Sequence, residues 1–332
     1  MKVVIVDHNY LGGEDLFKSE INTCIENNIE IKLERCKSEK DIIDVAQDAD
    51  IVLCCGNPPI TENVINSLEN VKAYIRYGIG VNSVDIGAAT NSNKIVYNMP
   101  GFCTEELAMH ASAMILNILR NITFYDSRIR KGMWPKAQGP KPKRLSNMTI
   151  GLFGFGGSAK ELAKIFNKGY GSKVIAYDPF LPKEVFLEYE VEEVELEDLL
   201  RNSDVISIHT PLNEATRGIF NRDFFEKMKS SSIIINIARG EIINQEDLIL
   251  ALERGSIGFA GLDVFKKEPI EADDRITKLD NIIMTPHSAF YGEESLQVQH
   301  ETAAYLIKKT LIDKEVVKDN LYNKSIYKET LL

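Results

Sequence analysis

Three residues far apart in the chain carry complementary chemistry, and each follows a short apolar run. "INIARGEI" sets Arg239 just past one run, "LDVFKKEP" sets Glu268 a few residues past a second, and "IIMTPHSAF" sets His287 just past a third. If the runs are strands of one open α/β sheet, their carboxyl ends form its ligand crevice and the three residues meet there. A guanidinium fork holds a carboxylate and polarises the carbonyl beside it. An imidazole gives up a proton near neutral pH. A carboxylate beside the imidazole orients it. Together they suit the reduction of a 2-oxo acid, which needs a proton, a grip on the carboxylate and a source of hydride. Each residue alone has a plainer reading: Arg239 at the surface, Glu268 as a solvated charge beside Lys266 and Lys267, His287 as a strand terminus. Their joint placement at three strand ends favours the site.

A hydride source is encoded upstream. In "TIGLFGFGGSAK" an apolar run meets glycines and then helix-forming residues. Gly154-x-Gly156-x-x-Ala159 fits the dinucleotide fingerprint. Gly154 allows the tight turn, Gly156 lets the backbone approach a pyrophosphate, and Ala159 keeps helix and strand close. The helix N-terminus offers unpaired N–H groups to the phosphates. Glycine-rich strand-to-helix turns are common, so the motif needs Asp178. That residue ends the next strand, "KVIAYD", 22 residues after Gly156, where an acidic side chain accepts from the ribose hydroxyls and repels a 2′-phosphate. NAD is the cofactor this order of features predicts.

The elements that must position these residues alternate along the chain. "VVIVD", "IVLCC", "AYIRY" and "KIVYN" read as strands in the first part. "TIGLFG", "KVIAYD", "VISIHT", "SIIINIA", "FAGLDVF" and "NIIMTPH" follow in the second. Helical stretches such as "VELEDLLRNS" and "NQEDLILALERG" lie between them, which predicts α/β architecture with parallel sheets covered on both faces. One long helix is expected over 104–131, with Thr104 as its N-cap, and a second from about 293 to 312. Between the first helix and the glycine turn, "GMWPKAQGPKPKR" reads as a loop with a solvated basic run.

At 332 residues the chain exceeds one ordinary core, so two domains are expected. With 39 Lys and Arg against 49 Asp and Glu the net charge is −10, which argues against nucleic acid or an anionic membrane as partner. The five cysteines form no CxxC pair and read as reduced thiols, with Cys54 and Cys55 buried, in a cytoplasmic protein. No apolar stretch reaches a membrane span, and the N-terminus turns polar too early for a signal peptide. His8, His110, His209 and His300 have no metal-ligand spacing, so no metal site is expected. His209 is placed at the cofactor crevice and His110 is read as packing.

Over nearly its whole length the chain resembles the D-isomer-specific 2-hydroxyacid dehydrogenases. "IRYGIGVNSVD", "NMPGFCTEELAMHA", "GLFGFGGSAKELA", "YDP", "HTPLNEATRGIF", "NIARGEI", "GLDVFKKEP" and "TPHSAFY" fall in that family's order and spacing. "TPHSAFYGEES" and "GFCTEELAMHA" are most similar to the subgroup with the C-terminal-binding-protein co-repressors. The resemblance implies two doubly wound parallel-sheet domains: a Rossmann NAD-binding domain (100–288) inserted into a flavodoxin-like substrate domain (1–99 and 289–332), with the two long helices as crossings. It implies Arg239 as substrate ligand, His287 as acid/base and Glu268 as its support. Cofactor contacts are implied for Gly154, Phe155, Gly156, Gly157, Ser158, Asp178, Thr210, Ile237, Ala238, Asp263 and Ala289. Substrate contacts are implied for the loop Gly78, Ile79 and Gly80, and for Arg239 and Phe290. The partners implied are a small anionic 2-oxo or 2-hydroxy acid and a second copy of the chain, met through the first long helix and Trp134. The chain departs from the pattern at Ser158, where an aliphatic residue is common, at Asn82, often Asp, and at Phe290, a Trp in the co-repressors. An NAD(H)-sensing regulator with incidental turnover is the alternative to an enzyme. The complete Arg-Glu-His set favours the enzyme.

Overall fold

The computed structural model describes residues 1–7, 13–136, 141 and 143–328. The chain divides into two units: Met1–Phe102 with Gly292–Leu332, and Cys103–Tyr291. The divisions fall three residues beyond the 99/100 and 288/289 boundaries read from the sequence. At the second one the physical reason is Ala289, which is buried in the core of the second unit.

The first unit begins β1 (Lys2–Ile5), α1 (Lys18–Glu26), β2 (Glu30–Leu33), α2 (Glu39–Ala46), β3 (Ile51–Cys54), α3 (Glu62–Ser67), β4 (Ala73–Arg76), α4 (Ile86–Asn91) and β5 (Ile95–Tyr97). Its strands are all parallel, in the order β2-β1-β3-β4-β5, the flavodoxin-like arrangement. The second unit holds α5 (Thr104–Arg120), α6 (Ile122–Arg130), β6 (Thr149–Phe153), α7 (Gly157–Lys164), β7 (Lys173–Tyr177), α8 (Lys183–Glu188), β8 (Glu192–Glu193), α9 (Leu196–Asn202), β9 (Val205–Ile208), α10 (Arg222–Lys227), β10 (Ile233–Asn236), α11 (Gln245–Arg254), β11 (Phe259–Leu262) and β12 (Ile282–Met284). The order β12-β11-β10-β9-β6-β7-β8 is that of a Rossmann sheet with one extra strand. Strand order reverses between β6 and β9. α12 (Glu293–Lys308) returns the chain to the first unit.

Both sheets are buried on two faces, which explains why their central strands read as unbroken apolar runs. In the second unit, α5 and α7 cover one face with Ala108, Ala111, Ile115, Ala159 and Leu162. α9, α10 and α11 cover the other with Leu199, Phe225, Leu248 and Leu252. Helix starts follow local chemistry. Ser38 and Asp41 form a capping box on α2, and Thr61, Asp85, Asn221 and Asn244 cap α3, α4, α10 and α11.

The expected helix over 104–131 is two helices. Asn121 adopts the left-handed conformation, φ 54° and ψ 35°, ending α5 and starting α6; Asn tolerates that conformation and breaks the hydrogen-bond ladder there. Thr104 is the first helical residue, and the N-cap is Cys103. The apolar face of α5 belongs to the core, whereas α6 buries nothing and leaves Ile122 (55%), Ile129 (51%) and nearby Trp134 (79%) exposed. Cys54 is buried and Cys55 only partly so.

In the first unit, buried Glu20 of α1 joins three segments. Its Oε1 accepts from Tyr77 Oη at 2.8 Å and lies 2.7 Å from His300 Nδ1 of α12. Asn323 reinforces the return of the chain, accepting from Val96 N–H at 2.9 Å and donating to Lys94 O at 2.9 Å.

Candidate active site

β10, β11 and β12 lie side by side, so the segments leaving their carboxyl ends are neighbours. His287 Nδ1 is 2.7 Å from Glu268 Oε2. The other carboxylate oxygen accepts from the Phe265 N–H at 2.9 Å, which curls the 265–268 turn and aims the carboxylate. Burial works to raise the Glu268 carboxyl pKa. The hydrogen bonds from His287 and Phe265, with the charges of His287 and Arg239, outweigh it and hold the carboxyl below its ordinary value. An ionised carboxylate only accepts, so Nδ1 carries the proton toward Glu268, and Nε2 is left for other exchange.

His287 has φ 54°, an uncommon conformation for any residue but glycine. A buried clamp sustains it. The His287 N–H donates to Asp263 O at 2.7 Å. The Asp263 carboxylate is fully buried and accepts from Ser288 N–H (2.9 Å), Thr285 Oγ1 (2.5 Å) and Ala289 N–H (2.9 Å). His110 of α5 adds Nε2 at 2.9 Å from Thr285 Oγ1 and 3.6 Å from Asp263 Oδ1. Asp263 and Ala289 thus fix the loop on both sides of the imidazole. Phe290 packs beside the ring, centroids 6.4 Å apart.

Arg239 is held by its own turn. Buried Asn236 donates to Arg239 O at 2.9 Å and accepts from Ala238 N–H at 3.0 Å, while Arg239 Nη1 donates to Ala238 O at 2.6 Å. The next residue, Gly240, presses on the neighbouring turn: a Cβ there would lie 2.0 Å from the Phe265 carbonyl carbon. Only glycine permits that approach, and it keeps Arg239 close enough for its charge to act on Glu268.

The glycine turn sits at the switch point of the sheet. Gly154 has φ 87°, and a Cβ would meet the His209 carbonyl carbon and Thr210 N at 3.0 Å; its N–H donates to Tyr177 O at 2.9 Å. Gly156 is the N-cap of α7, and a Cβ built there finds nothing within 4 Å. That open space above unpaired helix amides fits a dinucleotide pyrophosphate. The Phe155 ring is buried and stacked on Phe186 at 5.0 Å, so the side chain is turned to the core and does not face the open space above the turn. Asp178 accepts the Phe155 N–H at 2.9 Å and the Phe180 N–H at 3.1 Å, tying its carboxylate to the turn. Gly157 follows at the exposed start of α7, Ile237 is buried after β10, and Ser158 contacts His209.

Within the first unit, the loop of Gly78, Ile79 and Gly80 follows β4. Gly78 has φ 135°. Its carbonyl accepts from Met99 N–H at 2.9 Å, and that of Ile79 from Asn98 Nδ2 at 2.7 Å. With those carbonyls occupied, the amides are the groups the loop offers to an anion. Asp7, buried, shapes the adjoining loop by accepting from Cys55, Gly56 and Asn57 N–H.

Residues 112–289, more than half of the chain, match the NAD binding domain of the D-isomer specific 2-hydroxyacid dehydrogenases. The chain belongs to that family. It is 32% identical over 308 residues to a glyoxylate reductase of Korarchaeum cryptofilum, covering 89% of this chain and 92% of that one. A D-3-phosphoglycerate dehydrogenase of Archaeoglobus fulgidus is 34% identical over 285 residues, 86% of this chain; the chain spans about half (54%) of that protein's length. Among solved structures, a D-lactate dehydrogenase with NAD+ from Lactobacillus jensenii matches with a TM-score of 0.74 and 27% identity, covering 96% of this chain and all of that one.

Several residues that shape the candidate site carry no local signal in the sequence. Asp7, His110 and Thr285 pair with groups distant in sequence, and Ser207 sits inside the apolar run of β9 beside His209. His110 is more than packing: it props the loop that carries His287. Among the described residues, no three His, Cys, Asp or Glu side chains gather to hold a metal ion, and no helix is long and apolar enough to cross a membrane.

Proposed function

We propose that this protein uses NADH to reduce a 2-oxo acid to the (R)-2-hydroxy acid, or runs the reverse oxidation. The observation that carries the reading is the His287–Glu268 pair, 2.7 Å apart and within reach of the Arg239 charge. NADH, when bound, supplies the hydride. Arg239 grips the carboxylate with its fork and stabilises charge growing on the carbonyl oxygen. His287 delivers the proton from Nε2 to that oxygen, and Glu268 holds Nδ1 so that the ring keeps its aim. The amides of Gly78, Ile79 and Gly80 are assigned to the substrate carboxylate, and Phe290 to the side-chain pocket. Gly154, Gly156, Gly157, Ser158, Asp178, Thr210, Ile237, Ala238 and Ala289 are assigned to the cofactor. Asp263 acts there through the clamp. Ile122, Ile129 and Trp134 are assigned to a homodimer face, which light scattering checks.

The test is a panel of 2-oxo acids with NADH, followed by loss of its absorbance: glyoxylate, hydroxypyruvate, pyruvate, and branched and aromatic acids. At least one is expected to turn over, and His287→Ala to lower the rate on the order of 10²–10⁴-fold. Full activity in His287→Ala overturns the assignment. Tight NADH binding with nothing reduced favours a nucleotide sensor instead.

A further inference from the structure

Beneath the glycine turn runs a short relay of three side chains. Ser158 is the second residue of α7, among the helix's unpaired amides, and its Oγ lies 2.9 Å from His209 Nδ1. The other ring nitrogen, Nε2, is 2.8 Å from Ser207 Oγ. Ser207 is fully buried on β9. Burial also drives the His209 pKa down to about 3, so its ring is neutral at any working pH.

A neutral imidazole carries one proton: it donates from one nitrogen and accepts at the other. If Nε2 held the proton, it would donate to Ser207 Oγ, and the Ser207 O–H would point at no acceptor, since the imidazole is its partner among the described residues. A buried donor without an acceptor is costly. If Nδ1 holds the proton, Ser207 donates to Nε2, Nδ1–H donates to Ser158 Oγ, and each buried donor is matched. The Ser158 proton is then left over, at the mouth of the helix.

We propose that Ser207 and His209 are positioning residues which fix the direction of the relay so that the Ser158 O–H faces outward as a donor to the pyrophosphate of the dinucleotide. Run the other way, the relay would turn that proton inward and present oxygen lone pairs to an anion. An aliphatic side chain at position 158 supplies no such donor. Here the hydroxyl adds one to the backbone amides of a turn whose own residues 156 and 157 are glycines. The proposal rests on the reading of this turn as the NAD site.

NADH affinity, measured by fluorescence titration on wild type, Ser158→Ala, Ser207→Ala and the double variant, tests it. A hydrogen bond to a charged phosphate is worth roughly tenfold in affinity, so Ser158→Ala is expected to weaken NADH by about that factor. Ser207→Ala releases the ring to take either tautomer and is expected to weaken binding severalfold, yet to add nothing once Ser158→Ala is present. An equal effect of Ser207→Ala in both backgrounds means a merely structural role and overturns the proposal. Nitrogen NMR of isotope-labelled histidine in the unmutated protein gives a readout independent of folding in the variants. His209 protonated at Nδ1 supports the relay, and protonation at Nε2 overturns it. If the unmutated protein binds no NADH, the cofactor reading itself falls. If it binds tightly and Ser158→Ala binds as well, only the relay falls.

Discussion

Gly240→Ala puts the proposed site under a defined load. The new Cβ would sit 2.0 Å from the Phe265 carbonyl carbon, 2.2 Å from its oxygen and 2.5 Å from Lys266 N. These are backbone atoms, so no side-chain rotation relieves the clash. To regain the 3.4 Å of ordinary contact, the turn with Arg239 and the turn with Glu268 must part by roughly 1.4 Å. A misplacement near 1 Å costs on the order of 10²-fold in rate when reacting groups must be aligned. Turnover of the best 2-oxo acid is therefore expected to fall about 100-fold. Overpacking of this kind costs about 1–3 kcal/mol of stability, so the variant remains folded and its melting temperature drops by a few degrees. NADH affinity is expected to fall far less than turnover: the glycine turn follows β6 and is separate from this contact, and only Ile237 and Ala238 of the proposed cofactor contacts lie on the displaced turn. The assay pairs 2-oxo acid kinetics with NADH titration on the same preparation. Turnover within threefold of the unmutated protein would falsify the claim that this contact sets the distance between Arg239 and Glu268.

Arg239→Lys keeps the charge but loses the fork, and turnover is expected to fall on the order of 10²–10³-fold with NADH binding intact; unchanged kinetics would remove Arg239 from the site. Glu268 has a carboxyl held below its ordinary value of 4.5. Its pairing with His287 therefore contributes stability above that value and loses it as pH falls through the lowered one. Unfolding free energies from denaturant titrations of the unmutated protein and Glu268→Gln should differ by about 1 kcal/mol or less at neutral pH, as befits a half-exposed pair, and converge in acid; a gap that widens in acid contradicts the pairing. With Asp178 assigned to the adenosine ribose, its carboxylate would repel a 2′-phosphate, so NADH is expected to bind more tightly than NADPH, and equal affinity in parallel titrations refutes that role.

Much of this molecule is legible in its sequence, for reasons that differ by element. Central strands such as "SIIINIA" are covered on both faces, so burial writes itself as an apolar run. β2 (Glu30–Leu33) carries no such run because it is an edge strand with partly exposed, mixed residues, and β8 (Glu192–Glu193) none because it is two exposed glutamates. The break at Asn121 hides inside a helical pattern, since one left-handed residue leaves the surrounding periodicity intact. In the site, Arg239, Glu268 and His287 stand out as strand-end residues of suitable chemistry. The clamp built from Asp263, Thr285 and His110 does not. Its members lie on α5, after β11 and after β12, and only tertiary packing brings them together. His209 is legible as a crevice residue at the end of β9, but its pairing with Ser158 depends on β9 lying beside β6, and Ser207 is hidden in the apolar run of that strand.

The split of the first unit has a consequence for how the chain is made. A ribosome delivers residues in order, and domains ordinarily complete themselves from the N-terminus. Here the nascent chain has emitted all of Cys103–Tyr291 before α12 exists. The second unit is a continuous segment and has its full set of strands by then. The first must wait with Glu20 held by Tyr77 alone, because His300 and Asn323 follow the whole of the second unit in the chain. A buried carboxylate short of one of its two partners works against closure. The segment made first therefore completes its fold last, after α12 and the segment that follows it have been made.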